Sequence, residues 1–407
     1  MEQLPVFDFY NDQAIDTPDF PSSLIEADID GDGDLDILAL NAQRVDSVDG
    51  DYFNHYILLN EEGKFQFENP LMFQSGERLG DAAFGDLDND GDLDIYTTSY
   101  WRGEDSVYLN TGNQFNILNQ NETYEHEDGL VELVDIDDDG DLDAIVTTQS
   151  HNYQDPPQNP TQVRLNDGSG QFANSVTLGR SSRTVDTAIA DVDGDGDQDY
   201  FQRSYERGLE FFENQGDGSF AEGEAINIGT TIYSFDLGDI DGDGKDDLVV
   251  LHQDKPEEVL EMGALSWLER NGDSWQIEGD HFWNGLIPYN QDIELGDVDG
   301  DGDFDVLIGG GAEKSYFPEV HYDVQPARVV HNAGLSPFEN VVEKELKRNN
   351  IETPIIDPYD LSLVLADIDG DGKDEPIISS FFNEGQDITI WDNDPLLFLP
   401  VVVRNFS

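Results

Sequence analysis

The sequence predicts an all-β fold: a seven-bladed β-propeller of four-stranded blades, with an acidic loop between the first and second strands of each blade. Three observations predict it. The motif D-x-D-x-D-G-x-x-D, with Glu allowed last, occurs seven times, beginning at Asp28, Asp86, Asp135, Asp191, Asp239, Asp297 and Asp367. Each copy runs into a short apolar segment and, further on, into an asparagine turn with an aromatic residue four to six positions beyond it. The copies begin 58, 49, 56, 48, 58 and 70 residues apart. That spacing suits a four-stranded unit repeated radially and is longer than a solenoid coil.

The units follow in order. The first opens on the strand-like Ser23–Ala27, passes through Asp28, Asp30, Asp32, Asp34 and Asp36, and continues as Ile37–Leu40. Its second half is Leu58–Asn60 with Phe65. The second has Asp86, Asp88, Asp90, Asp92 and Asp94, then Tyr108–Asn110 with Phe115. The third has Asp135, Asp137, Asp139, Asp141 and Asp143, then Arg164–Asn166 with Phe172. The fourth has Asp191, Asp193, Asp195, Asp197 and Asp199, then Phe212–Asn214 with Phe220. The fifth has Asp239, Asp241, Asp243, Lys245 and Asp247, then Glu269–Asn271 with Trp275. The sixth has Asp297, Asp299, Asp301, Asp303 and Asp305, then Val330–Asn332 with Phe338. The seventh has Asp367, Asp369, Asp371, Lys373 and Glu375, then Trp391–Asn393 with Phe398.

The residue before each loop is Ala, Gly or Val, as a crowded innermost strand requires. The whole chain, 1–407, therefore reads as one closed domain. Phe7 precedes Asp28 by the same 21 residues that separate Phe65 from Asp86. Residues 1–20 are thus expected to supply an extra or ring-closing outer strand, and Leu396–Val403 competes for the same place.

Alternating carboxylates around a glycine turn suit calcium, which takes six to eight oxygens in a flexible shell. Positions 1, 3, 5 and 9 offer carboxylates, and position 7 offers a carbonyl, so Lys245 and Lys373 there are compatible. An EF-hand starts alike but needs Glu at position 12 and flanking helices. Here position 12 is Ala39, Thr97, Val146, Gln202, Val250, Ile308 or Ile378, and the flanks are strand-like. Up to seven structural Ca2+ ions are expected.

Bulk composition narrows the function. The chain carries 90 acidic and 19 basic residues, a formal charge of −71. Nucleic acid and anionic membrane surfaces are poor partners for such a surface. The 37% hydrophobic content still provides a core. The absence of cysteine excludes disulfides, thiolate metal sites and cysteine catalysis. No apolar run reaches the ~20 residues of a membrane-spanning helix, so no membrane insertion is expected. Met1–Pro5 shows no secretion leader. Open loops that fill at millimolar calcium nevertheless point outside the cell or to its surface.

The seven loops and their asparagine-turn hairpins resemble the FG-GAP/VCBS repeat family, the calcium-loop propellers that include the head of integrin α chains. The resemblance covers about Leu4 to Phe406. It implies the propeller fold and the metal, and it leaves function open, since such propellers host adhesion, lectins and enzymes alike. The Gly-Ala-Pro that follows the second strand in integrins is missing here.

In this topology the acidic loops share one face with the asparagine turns, and the other connections share the opposite face. Binding is expected on that second face. Its candidate residues are Arg78, Trp101, Arg102, His151, Tyr153, Arg183, Arg203, Tyr205 and Arg207. A second rich connection spans Gly309–Pro326. Arginine forks with aromatic faces suit glycans, anionic ones included, or adhesion. The alternatives are a polysaccharide lyase using His126, His151, Tyr153, Tyr205 and Arg203, a protein-docking propeller of a cell-surface assembly, and arginines merely paired with nearby acids. A monomer is expected.

Overall fold

The computed structural model describes residues 21–41, 53–61, 65, 71–76, 78–99, 105–112, 114–118, 128–148, 160–253, 262–271, 274–286, 292–309, 311–315, 321–325, 328–332, 342–345, 362–368, 370–382, 385–390 and 401–402. Every regular element among them is a β-strand. The first sheet joins β1 (Pro21–Ala27), β2 (Asp36–Asn41), β3 (Phe53–Leu58) and β4 (Leu71–Ser75) in that order. The second joins β5 (Leu79–Gly85), β6 (Asp94–Ser99), β7 (Ser106–Asn110) and β8 (Phe115–Leu118). The third joins β9 (Asp128–Val134), β10 (Asp143–Thr148), β11 (Thr161–Asn166) and β12 (Phe172–Leu178).

The fourth sheet holds β13 (Thr184–Ala190), β14 (Asp199–Ser204), β15 (Gly208–Phe212) and β16 (Glu224–Ile226). The fifth holds β17 (Ile232–Gly238), β18 (Asp247–Gln253), β19 (Met262–Asn271) and β20 (Ser274–Leu286). The sixth starts with β21 (Ile293–Gly296) and β22 (Asp305–Ile308). It then inserts a separate hairpin, β23 (Gly311–Ser315) with β24 (His321–Gln325), before β25 (Arg328–His331) and β26 (Val342–Glu345) complete it. The seventh holds β27 (Ser362–Ala366), β28 (Glu375–Phe382), β29 (Gly385–Ile390) and β30 (Val401–Val402).

All pairings are antiparallel. The first strands of successive sheets pack on one another, and β27 packs back on β1, so they form a closed ring. In the last sheet Val401 and Val402 of the C-terminal segment pair with β29 as the fourth strand. Residues 1–20 lie outside the described residues.

Crowding at the ring explains the small residue before each loop. A Cβ on Gly85 would lie 2.6 Å from Leu142 of the next sheet, and one on Gly238 would lie 2.7 Å from Phe304. The second strands are buried throughout, as β6, β10 and β22 illustrate. Apolar residues of adjacent sheets meet between them. Leu24, Ile37 and Leu58 of the first sheet join Val364, Ala366 and Ile377 of the seventh. Each such side chain contributes ~1.5–3 kcal/mol when buried. The expected aromatic after the asparagine turn is buried at Phe65 and Phe172 and half-buried at Phe115, Phe220 and Trp275. Phe338 and Phe398 lie outside the described residues.

Candidate functional site

Each acidic loop is shaped by its own first and fifth residues. The first carboxylate accepts backbone N–H groups from across the turn: Gly33 donates to Asp28 at 3.0 Å, and Asp90 and Gly91 donate to Asp86 at 3.0 and 3.1 Å. The fifth carboxylate accepts the N–H of position 7, as from Asp34 to Asp32 and from Lys245 to Asp243, both at 3.0 Å. The sixth-position glycines sit at φ from 87° to 100°, which disfavours any side chain. Position 4 is left-handed too. Five loops place Gly there, and the other two place Asn89 and Asp138, at φ 61° and 59°. Asn and Asp are the residues that best tolerate that conformation.

The ninth carboxylate ties the loop to the asparagine turn. Asp36 Oδ2 accepts the N–H of Ile29 at 2.9 Å, and its Oδ1 accepts the N–H of Asn60 at 2.7 Å. Asp94 and Asp143 repeat this with Leu87 and Asn110, and with Ile136 and Asn166. The asparagine side chain then reaches the preceding sheet. Asn166 Nδ2 donates to Leu87 O at 2.9 Å, Asn332 to Ile240 O at 3.0 Å, and Asn60 to Ile368 O at 2.8 Å across the ring junction. The sequence pattern marked these asparagines as turns; their second role as links between sheets was not legible in it.

The fifth sheet departs from this plan. Its register pairs Leu248 with Leu268, which puts Arg270, not Asn271, at the linking position. Asn271 instead pairs with Ser274 in the hairpin. Arg270 bridges to the fourth sheet through Glu213 at 2.7 Å and lies over the Phe211 ring, 4.1 Å from its centroid.

Carboxylate atoms of Asp28, Asp30 and Asp32 lie within 4.8 Å of one another, as do those of Asp86, Asp88 and Asp90, of Asp135, Asp137 and Asp143, and of Asp191, Asp193 and Asp195. Burial, with help from neighbouring carboxylates, pushes the ninth residue up: Asp36 and Asp94 to about 6, Asp143 and Asp199 to about 7, and Asp247 to about 8. Asp28 Oδ1, Asp88 Oδ1, Asp137 Oδ1, Asp199 Oδ2 and Asp247 Oδ2 are buried without a hydrogen-bond partner among the described residues. Converging, pre-oriented carboxylates with orphaned oxygens fit a hard divalent cation. Asp369 lies outside the described residues.

The opposite face is built differently. Of the sequence-predicted ligand residues, Arg183, Arg203, Tyr205 and Arg207 come together on the fourth sheet, and Arg78 precedes β5 two sheets away. Trp101, Arg102, His151 and Tyr153, with His126, lie outside the described residues. The fourth-sheet arginines all face carboxylates. Arg183 Nε meets Glu206 at 2.6 Å, Arg207 Nε meets Glu210 at 2.6 Å, and Arg203 Nε is 3.7 Å from Asp186. Burial would raise Glu206, but the Arg183 hydrogen bonds and charge outweigh it and hold its carboxyl below the usual range. Tyr205, whose N–H donates to Arg183 O, is 60% exposed beside them.

The sequence pattern did not mark two kinds of buried polar group: Arg164, which stands alone, and inner-strand acids, which recur five residues before the loop at Asp81, Asp186 and Asp292 and three residues before it at Glu132, Asp236 and Glu294. Arg164 on β11 is fully buried against Asp105 and Tyr96 of the second sheet; its Nη1 donates to the Tyr96 hydroxyl at 2.6 Å. The inner strands also carry acids that bridge sheets. Asp81 accepts Val131 N–H, Glu132 accepts the Thr187 hydroxyl, and Asp236 accepts Leu295 N–H. Burial raises Asp81 to about 6 and Glu132 to about 7.

The FG-GAP-like repeat model matches residues 28–97, 86–146, 135–202 and 191–250. No curated protein matches the chain. Among solved structures, two crystals of BBS1N in complex with ARL6DN are similar at 10% identity. The one soaked with lead has a TM-score of 0.50 and covers 90% of both chains. The one soaked with mercury has a TM-score of 0.51 and covers 91% of this chain and 92% of that one. An ancestral GH74 enzyme has a TM-score of 0.52 at 10% identity, covering 96% of this chain and 47% of its own. At such identity the likeness shows the propeller-like fold alone.

Proposed function

The chain belongs to the FG-GAP-like repeat family, and from that premise we propose that it is a single-domain, seven-bladed binding propeller, held rigid by calcium and working at or outside the cell surface. The acidic loops serve stability. Extracellular calcium is in the millimolar range that such open sites need. Binding belongs to the opposite face, centred on the fourth blade, and the ligand is a glycan.

One observation carries this: Tyr205 is exposed, its N–H bonded to Arg183 O and its place in the chain two residues before Arg207, and the forks of both arginines are already ordered by Glu206 and Glu210. An exposed ring offers a stacking face for a sugar, and ion-paired forks present oriented donors with little entropy left to lose. A second reading, docking of a protein, rests on the exposed Met72, Ile117 and Val176 on the outer strands of three sheets. The similar BBS1N structures are of a propeller-like chain with a protein partner, which agrees with that reading.

The test is retention of the monomeric protein, in calcium, on neutral, uronate-rich and sulfated polysaccharides. Retention on one of them, abolished by Tyr205→Ala at unchanged melting temperature, is the expected result. Appearance of unsaturated uronate products would turn the reading to a lyase. No retention on any member would sink the glycan reading in favour of protein docking.

A further inference from the structure

The sixth acidic loop differs from the first three in three ways. First, its hairpin carries His331 where the first three units carry Leu59, Leu109 and Leu165. Second, its ninth carboxylate is rewired. In the first three loops and the seventh, one oxygen of that acid accepts the N–H of position 2. In the sixth, Val298 N–H turns to Gly296 O instead, and Asp305 Oδ2 faces His331 Nδ1 at 3.0 Å. Asp305 Oδ1 keeps its bond from Asn332 N–H at 2.8 Å, so the carboxylate plane is fixed. Third, among the described residues the imidazole is held from the loop side. Its side chain is 8% exposed, and Nε2 is buried without a partner among the described residues.

These changes gather one nitrogen and two oxygens. His331 Nδ1 lies 3.0 Å from Asp305 Oδ2 and 3.6 Å from Asp299 Oδ2, and the three donor atoms fall within 4.8 Å of one another. Ligands about 2.1 Å from a small ion sit roughly 3.0–3.4 Å apart along the edges of its octahedron or tetrahedron; the Asp305 distance falls in that range and the Asp299 distance just outside it, so the nitrogen donor rather than the spacing carries the selectivity. Calcium takes longer bonds, to oxygen alone. Imidazole favours ions of the zinc, cobalt and nickel class.

We propose that the sixth loop is a mixed nitrogen–oxygen site, formed by His331, Asp299 and Asp305, that selects a borderline divalent transition ion over calcium. The proposal rests on the reading that the loops hold divalent cations, and it makes one of the seven chemically distinct.

Cobalt(II) alone is the probe, because its visible ligand-field bands report nitrogen ligation. The full chain is saturated with calcium, titrated with cobalt, freed of excess ions and assayed for both metals. The expected result is one equivalent of cobalt retained against calcium, with ligand-field absorption. His331→Leu, which restores the residue found in the first three units, loses that equivalent and its bands while keeping bound calcium. If His331→Leu does not fold, His331→Gln is the second variant and gives the same loss. Cobalt fully displaced by calcium, or retained by either variant with an unchanged spectrum, overturns the proposal and leaves the calcium reading standing. Binding of neither metal by the wild type overturns both.

Discussion

The two faces of the ring solve the same problem, joining neighbouring blades, by opposite means. On the acidic-loop face one device recurs: a ninth-position carboxylate holds an asparagine turn, and the asparagine reaches the sheet before it. On the opposite face two junctions use different residues. Arg164, Asp105 and Tyr96 join the second and third sheets, and Thr161, Gln202 and Glu210 join the third and fourth. The repeated face depends on charge compensation at its loops, whereas on the other face those two junctions pair their charges within the protein. The faces should therefore respond differently to calcium, to pH and to substitution.

Calcium removal should have the largest effect. A site held at about 100 times its Kd adds about 2.7 kcal/mol, so several together exceed any single substitution. Thermal unfolding with and without chelator checks this, and coincident curves would break the comparison at its root. The calcium-free protein should also show an unusual pH slope. The raised groups, Asp36 and Asp94 at about 6, Asp143 and Asp199 at about 7 and Asp247 at about 8, are shifted first by burial from an ordinary 3.8. A raised carboxyl contributes stability that is present below the unfolded value and lost as pH rises through the folded one. Without calcium, the melting temperature should fall from about pH 4 to about pH 8. With calcium the fall should vanish, because binding keeps these groups ionised.

Arg164→Met should come next, at about 3–5 kcal/mol, because it strands the buried Asp105 carboxylate. Adding Asp105→Asn should recover part of the loss. Denaturant unfolding measures both, and the cost should be the same with and without calcium. A cost that disappears on chelation would mean that the two faces do not act independently.

Asn60→Ala should cost about 1–3 kcal/mol, since it leaves the Ile368 carbonyl short of a donor at the ring junction. Here the cost should shrink in chelator, because the loop that positions Asn60 frays when its carboxylates repel. The same substitution at Asn271 should cost little, because Arg270 makes the link in that blade. Equal losses at Asn60 and Asn271 would contradict the register of the fifth sheet.

That register shows where sequence reading ends. The loops were legible because their chemistry fixes residue type at five of nine positions, and the fold followed from their number and spacing. Trp275 and Asn271 looked like the fifth instance of the hairpin. The strand pairing, which no local pattern encodes, moved the link by one residue to Arg270. On the other face the sequence offered a set of arginines; Arg183, Arg203 and Arg207 lie at one end of the fourth sheet, Arg78 lies two sheets away, and Arg102 lies outside the described residues. Their carboxylate partners were not legible, since in a chain with 90 acids proximity in sequence says little about which acid each arginine faces. Arg164 was hidden for the same reason: its partners lie in another sheet.

The smallest expected effect separates two glycines of one loop. Gly31 and Gly33 both have open space where a Cβ would stand, so only the backbone discriminates. Gly31 is at φ 75°, close to the values that Asn89 and Asp138 adopt at the same position of their loops. Gly33 is at φ 100°, beyond the left-handed well that asparagine tolerates. Gly31→Asn should therefore cost under about 1 kcal/mol in calcium, and Gly33→Asn about 1–3 kcal/mol. Paired unfolding curves decide it. If the two variants melt together, the loop relaxes around a side chain at either position, and the seven glycines at position 6 owe their presence to something other than backbone strain.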